Sequence, residues 1–300
     1  MNEQYEKRIL QLLQGGIGVG VPFLHVGNVF FVDGIAGNNL NDGLSPDSPW
    51  LTITFALTRC VADNDDIIVV IDCWQQEPAW PVAVNVNRVH IIGVDVENGK
   101  YPRMAPPADT AVFNMACEYF EIAGFSLGAG ATHAPIEFNA ALGRGRIHHC
   151  WLGYTEAAQD GIRIAALVDA PELLIEDCVF GALLTRDGIR LDGNSTRTII
   201  RNNLIRRVPG IGIHCRTNGS DIAAITGNSI MIALGAAAGA AITLLLGVGN
   251  ALISGNIVAE DGANPGNNPY RDLSTGVAGT NLNAWGPNYS GIALTFPVFV

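Results

Sequence analysis

Charge is scarce in this sequence. Asp, Glu, Lys and Arg make up 15% of 300 residues, and the net charge is −11. Nucleic-acid binding needs a basic face, and no stretch of the chain supplies one. Solubility must therefore rest on Asn, Thr, Ser and Gly. Cysteine spacing suited to a metal is also missing: no pair among the six cysteines has the separation of metal ligands, so no metal or cofactor is expected. The opening residues, MNEQYEKRILQLLQGG, lack the unbroken apolar run of a signal peptide. Tyr5, Ile9, Leu12 and Leu13 recur instead at helical spacing with charges between them, and Gly15-Gly16 would end that helix. The cysteines are accordingly expected as free thiols of a chain made in a reducing compartment.

One segment lacks charge altogether, from Ile222 to Ala259. Its length would allow a membrane helix. Against that reading, it carries Asn228, Asn250 and Asn256 and is broken by Gly235, Gly239, Gly247 and Gly249. It also fits a repeat, and no membrane span is expected.

What the sequence has in quantity is glycine, 35 residues, and periodicity. TIIRNNLI (198–205), AAITGNSI (223–230) and ALISGNIV (251–258) share an apolar pair, an asparagine and a further apolar residue. Asn203, Asn228 and Asn256 align, and going backwards the same column holds Cys178, Cys150, Phe125 and Val94, at intervals of 25 to 31 residues. A second column, PIEF (135–138), GIRI (161–164), GIRL (188–191), GIGI (210–213) and AITL (241–244), alternates apolar and polar residues as a half-buried strand does. Asp160-Gly161 and Asp187-Gly188 open two of these strands as turn residues.

Each period thus holds at least two short strands and cannot bury its apolar side alone. Stacking the periods buries it. The expected fold is all-β: a single-stranded right-handed parallel β-helix of about seven to eight coils, ~35–40 Å long at ~4.8 Å per coil. At a sharp inward turn, a buried Asn amide can donate to the Asn of the next coil and bond the local backbone. Asn203, Asn228 and Asn256 are expected to form such a ladder, with Cys150 and Cys178 as small buried groups in the same column.

Upstream, a strand over Val29–Val32 leads through a turn-rich loop to a short amphipathic helix near 52–60, which would cap the first coil, and then to a buried strand over Ile67–Ile71. The pattern from Phe31 to Val70, FVDG…GNN…NDGLSP…SPW-x-TI…AL…DDIIVV, resembles the opening segment of pectin-lyase-like right-handed β-helix proteins, and the repeats carry the resemblance to about residue 258. That superfamily includes pectate lyases, polygalacturonases, bacteriophage tailspikes and non-enzymatic virion proteins. The resemblance implies the fold and leaves the activity open. Pectate lyases bind calcium through clustered aspartates, whereas the outward positions here read Glu137, Arg163, Arg190, Gly212 and Thr243. Of the polygalacturonase motifs only a fragment, GIGIH (210–214), is present, so no catalytic residue is carried over.

A glycosidase needs two carboxylates ~5–10 Å apart, and Asp160 and Asp187 lie in equivalent turns. With Arg190, Asp192, His214 and Arg216 they form the best candidate polar site, weighed against a surface ladder of salt bridges. His148-His149 lacks a third metal ligand nearby. Aromatics that a sugar groove would use, Trp74, Trp80, Trp151 and Tyr154, are few and scattered.

The chain divides into an N-terminal helix and arm (1–27), the β-helix (28–260) and an irregular C-terminal extension (261–300). Apolar residues at both ends, Tyr5, Ile9, Leu12, Leu13, Phe296, Val298, Phe299 and Val300, are expected at an interface, as is the small-residue coil at 233–249. The functional expectation is a non-enzymatic structural protein of a virus particle, a bacteriophage decoration or spike protein. It would be made in the host cytoplasm, be trimeric and contact other virion proteins. The alternative is a polysaccharide-cleaving or glycan-binding β-helix acting on a cell-surface glycan at the Asp160/Asp187/Arg190/His214 face.

Overall fold

The computed structural model describes residues 27–73, 76–94, 101–140, 143–153, 157–216, 221–232, 240–245, 247–260, 269–274, 283–290, 293–294 and 298–299. They form a parallel β-solenoid. Three sheets run along it, of ten, nine and nine strands, and strands from successive coils are neighbours in each. One coil illustrates the path: Leu174–Glu176 in the first sheet, Val179–Phe180 in the second and Ile189–Leu191 in the third. The next coil repeats it with Ile199–Arg201, Leu204–Val208 and Ile213–Cys215. The coil therefore has three strands, one more than the minimum the sequence requires.

Register follows the sequence columns in the first sheet, whereas in the third Ile213–Cys215 takes the place expected of GIGI (210–213), so that His214 and not Gly212 stands in the outward row. Ile175 pairs with Ile147 on one side and Ile200 on the other, and Ile225 pairs with Ile253. These isoleucines point inward and are fully buried. Burying one such side chain contributes roughly 1.5–3 kcal/mol, so a slip of one residue, which would turn the row outward, is strongly disfavoured. The turns before the third sheet need glycine for a different reason. A Cβ on Gly161 would lie 2.6 Å from the Gly188 carbonyl, and one on Gly188 equally close to the Gly212 carbonyl. The coils stack there backbone against backbone.

At the corner between the first and second sheets, Asn203 Nδ2 donates to Asn228 Oδ1 at 3.0 Å, and Asn228 Nδ2 to Asn256 Oδ1 at 2.9 Å. Each amide also donates to a carbonyl of the preceding coil, Ile175, Ile200 and Ile225 in turn. Every hydrogen-bonding group of these buried side chains is thereby paired, as burial demands. The ladder goes one step further than the spacing predicts, to Asn288, which accepts from Asn256 Nδ2 at 2.9 Å across 32 residues. At its other end Asn203 Oδ1 accepts from the Cys178 amide. Cys150 and Cys178 are buried beside it, and burial pushes the Cys178 thiol well up from its ordinary pKa.

The sheets run on past residue 260. Tyr270–Asp272, Ala284–Trp285 and Tyr289–Ser290 each join one sheet, and the backbone of Val298 and Phe299 pairs with Arg271 and Asp272. The longer interval before Asn288 hides this coil from a search at 25 to 31 residues. At the opposite end, the helix Ile53–Leu57 packs Ile53, Ala56 and Leu57 into the core with Phe30 and Val32. Thr52 caps it, and the Glu77 carboxylate accepts from the Ile53 and Thr54 amides, the free N–H groups of a helix start.

The charge-free region contributes the strands Ala224–Thr226, Ser229–Ile232, Ile242–Leu244 and Leu252–Ser254. Among the described residues no helix is long and apolar enough to cross a membrane. The N-terminal helix with Tyr5, Ile9, Leu12 and Leu13, and also Phe296, Val300 and residues 233–239, lie outside the described residues.

Candidate functional site

The outward row of the third sheet brings the sequence candidates together. Glu137, Arg163, Arg190, His214, Thr243 and Arg271 lie side by side on successive strands. Asp160 and Asp187 occupy the turns just before this sheet. Each carboxylate reaches into the next coil: Asp160 Oδ1 accepts from the Asp187 amide at 3.1 Å, and Asp187 Oδ1 from the Ile211 amide at 2.8 Å. Their remaining capacity is also taken. Arg186 donates to both oxygens of Asp160. Asp187 Oδ2 accepts from Arg190 at 2.7 Å and faces His214 Nδ1 at 3.0 Å. Arg190 also donates to Asp192, whose other oxygen lies 3.3 Å from Arg216.

A surface ladder is the wrong description of this network. Asp160, Asp187, Arg190 and His214 are all buried. The reason is geometric: the aspartates fold back onto amides of the neighbouring coil, and the cations follow them. Burial alone would raise the Asp187 pKa, but the hydrogen bonds from His214, the Ile211 amide and Arg190 outweigh it and hold the carboxyl below its ordinary range.

A second polar array lies on the outer face of the first sheet, and of its members the sequence singles out only His148-His149. His90, Glu121 and Arg146 are in register on adjacent strands, and so are His148 and Glu176. Glu121 is buried between two histidines, 2.8 Å from His90 Nδ1 and 2.7 Å from His148 Nε2. Burial acts against its ionised form, yet these two contacts prevail and bring its pKa down to about 2. His148 Nδ1 faces His149 Nδ1 at 2.7 Å, so this histidine pair is tied to Glu121. Among the described residues no group of His, Cys, Asp or Glu is arranged to hold a metal ion. Beside this array runs an open groove of about 420 Å³, lined among others by Arg88, His90, Tyr119, Glu121, Arg144 and Arg146. The signal was present in the sequence only as charged residues two places apart before and within apolar strands. Of the expected aromatics, Trp151 packs near Tyr101 and Trp80 against the core, while Trp74 and Tyr154 lie outside the described residues.

No protein-family model matches this chain, and no curated protein matches it. Among solved structures it is similar to the GH136 lacto-N-biosidase from Eubacterium ramulus. The selenomethionine derivative has 12% identity and a TM-score of 0.58, covering 96% of this chain and 57% of that one. The native protein has 11% identity and a TM-score of 0.53, covering 95% and 57%. A rhamnogalacturonan lyase aligns at 10% identity and a TM-score of 0.44, over 91% and 89% of the two chains. The chain spans little more than half the length of the lacto-N-biosidase. At this identity the likeness is one of fold alone, a parallel β-helix.

Proposed function

We propose that this chain is a non-enzymatic structural protein of a virus particle, a decoration or spike component that assembles as a trimer. The observation that carries the non-enzymatic part is the state of the third-sheet acids. Asp160, Asp187 and Asp192 each lie against an arginine, and Asp187 is held ionised. Glycoside hydrolysis needs one carboxylic acid that stays protonated opposite one that does not, and at Asp187 the contacts work against the protonated form. Assembly is supported by Leu252, Ile257 and Tyr289, which project from the last coils and are each about half exposed. The virion setting rests on the resemblance of the Phe31–Val70 segment to a superfamily that includes such proteins.

A second reading, glycan cleavage at the third-sheet face, is favoured by one contact. Asp187 orients His214 through Nδ1, as a carboxylate does for a histidine base. One experiment separates the readings. The purified protein is incubated with acidic and neutral polysaccharides, and new reducing ends and unsaturated-uronate absorbance are followed. The structural reading expects neither. Cleavage that disappears in Asp187→Ala while the fold persists would overturn it. The mass of the native particle then tells a free trimer from a shell component.

A further inference from the structure

The loop after the first strand, residues 33–50, contains Asp33, Asp42 and Asp47 and no Lys or Arg. Three of its side chains fold its backbone. Asp33 Oδ1 accepts from the Ile35 amide at 2.8 Å, Asn38 Oδ1 from the Leu40 amide at 3.0 Å and Asp42 Oδ1 from the Leu44 amide at 3.0 Å. In each turn the residue two places on is left in solvent: Ile35, Leu40 and Leu44 are 70%, 92% and 62% exposed. Trp50 Nε1 donates to the Asn41 carbonyl, and Asn39 Oδ1 accepts from the Leu51 amide. Polar contacts thus fix the loop and leave the three aliphatic side chains unused. A loop fixed in advance loses little freedom on binding, and apolar groups displayed together on one are the mark of a contact surface.

The later coils offer the complement. Residues 197–207, RTIIRNNLIRR, hold four arginines and no acid. Arg197 and Arg201 are paired with Glu172 and Glu176, whereas Arg206 is exposed and has no ion-pair partner among the described residues. Its row on the outer face of the second sheet continues as Met231 and Ala259, and the row beside it runs Leu204, Ser229, Ile257 and Tyr289. Neither row holds an acid.

We propose that the 33–50 loop of one copy docks on this second-sheet face of another, with Asp42 and Asp47 toward Arg206 and Ile35, Leu40 and Leu44 toward Leu204, Ile257 and Tyr289. Charge selects the occupant. At a net charge of −11 two copies repel in most orientations, and this one sets exposed acids against an arginine that its own chain leaves unneutralised. The aliphatic side chains supply an apolar centre and the charges a rim, as in protein interfaces generally. The contact is heterologous, since the two copies use different patches, so the same step repeats until it closes as a ring. A ring of three is the trimer of the structural reading, on which this contact rests.

The test is sedimentation of the full-length protein across a range of concentrations at low salt. The parent is expected as a trimer. Asp47→Arg, Arg206→Glu and Leu40→Ser should each weaken association by about tenfold or more, as loss of one good interface contact does. Asp47→Arg leaves the three turns of the loop in place, and the chain carrying both charge reversals should associate as the parent does. Leu167→Ser, at a fully exposed residue outside both patches, should change nothing, and thermal melting confirms that each variant is folded. A trimer that persists unweakened in Asp47→Arg and Arg206→Glu overturns the contact and leaves the trimeric reading standing. Weakening in both that the combined chain does not reverse also overturns the contact. A parent that is monomeric throughout overturns the contact and the trimeric reading together.

Discussion

In the coils before Asn203 the inward corner is apolar, with Phe125, Cys150 and Cys178, while the outer face of the first sheet carries His90, Glu121, Arg146, His148 and Glu176. In the later coils the corner holds Asn203, Asn228, Asn256 and Asn288, and the row that held His90, Glu121 and Arg146 continues as Ile199, Ala224, Leu252 and Ala284. The two regions share one backbone path; the later one gains polar groups in the corner and loses them from one outer row, while the neighbouring outer row stays polar through Arg201, Thr226 and Ser254. Stacking permits both arrangements, because each coil offers the next the same chemistry at the same place. A buried amide is tolerable only above another amide, and a buried carboxylate only beside cations or donors.

The largest expected effect breaks the polar corner. Asn228→Leu removes an acceptor from the Asn203 amide and side chain and a donor from the Ile200 carbonyl. The loss should be about 3–4 kcal/mol, since each buried group left unpaired costs roughly 1–3 kcal/mol. Cys150→Ala in the apolar corner should cost only about 1 kcal/mol, the value of a small packing defect. Equilibrium denaturation of both variants checks the order, and a reversed order would undo the contrast between corners.

Acid should act on the earlier region alone. Glu121 has a folded pKa of about 2 against an ordinary 4.5. Its contribution is therefore complete above pH ~4.5 and is lost as the pH falls toward 2, by on the order of 3 kcal/mol. Urea midpoints measured across that range should fall in the parent and fall less steeply in Glu121→Gln, where the carboxyls of Asp187 and Glu176, also held below their ordinary range, still titrate. The Asn ladder does not titrate, so Asn228→Leu should keep the parent's acid slope.

The smallest effect on stability comes from the outer face of the later coils. Leu252→Ser and Ile257→Ser should change unfolding free energy by no more than about 0.5 kcal/mol, as exposed substitutions do. If this face is an interface, the double variant should sediment as a smaller species than the parent. Unchanged sedimentation would leave the apolar face unrelated to assembly.

Most of the solenoid was legible in the sequence because its determinants recur. The column Ile175, Ile200, Ile225 and Ile253 and the markers Asn203, Asn228 and Asn256 announce coil length without reference to any distant contact. Asn288 escaped since its interval of 32 residues falls outside the preceding run. The candidate site was legible as a list, and Asp160, Asp187, Arg190, Asp192 and His214 do meet. Their burial was not legible, because nothing in an Asp-Gly turn signals that the carboxylate will bend onto the next coil's amide. The first-sheet groove was less visible still. Arg88, Tyr119 and Arg144 are ordinary residue types, and their left-handed backbone leaves no trace in composition.

The sequence by itself determined the repeat, the inward columns and the strand alternation, since these depend on the order of apolar and polar residues along one coil. Only the tertiary structure decided which charges are neutralised, how far the amide ladder runs and where a groove opens. Those properties depend on what lies ~4.8 Å away in a neighbouring coil, and there two residues some thirty positions apart become immediate partners.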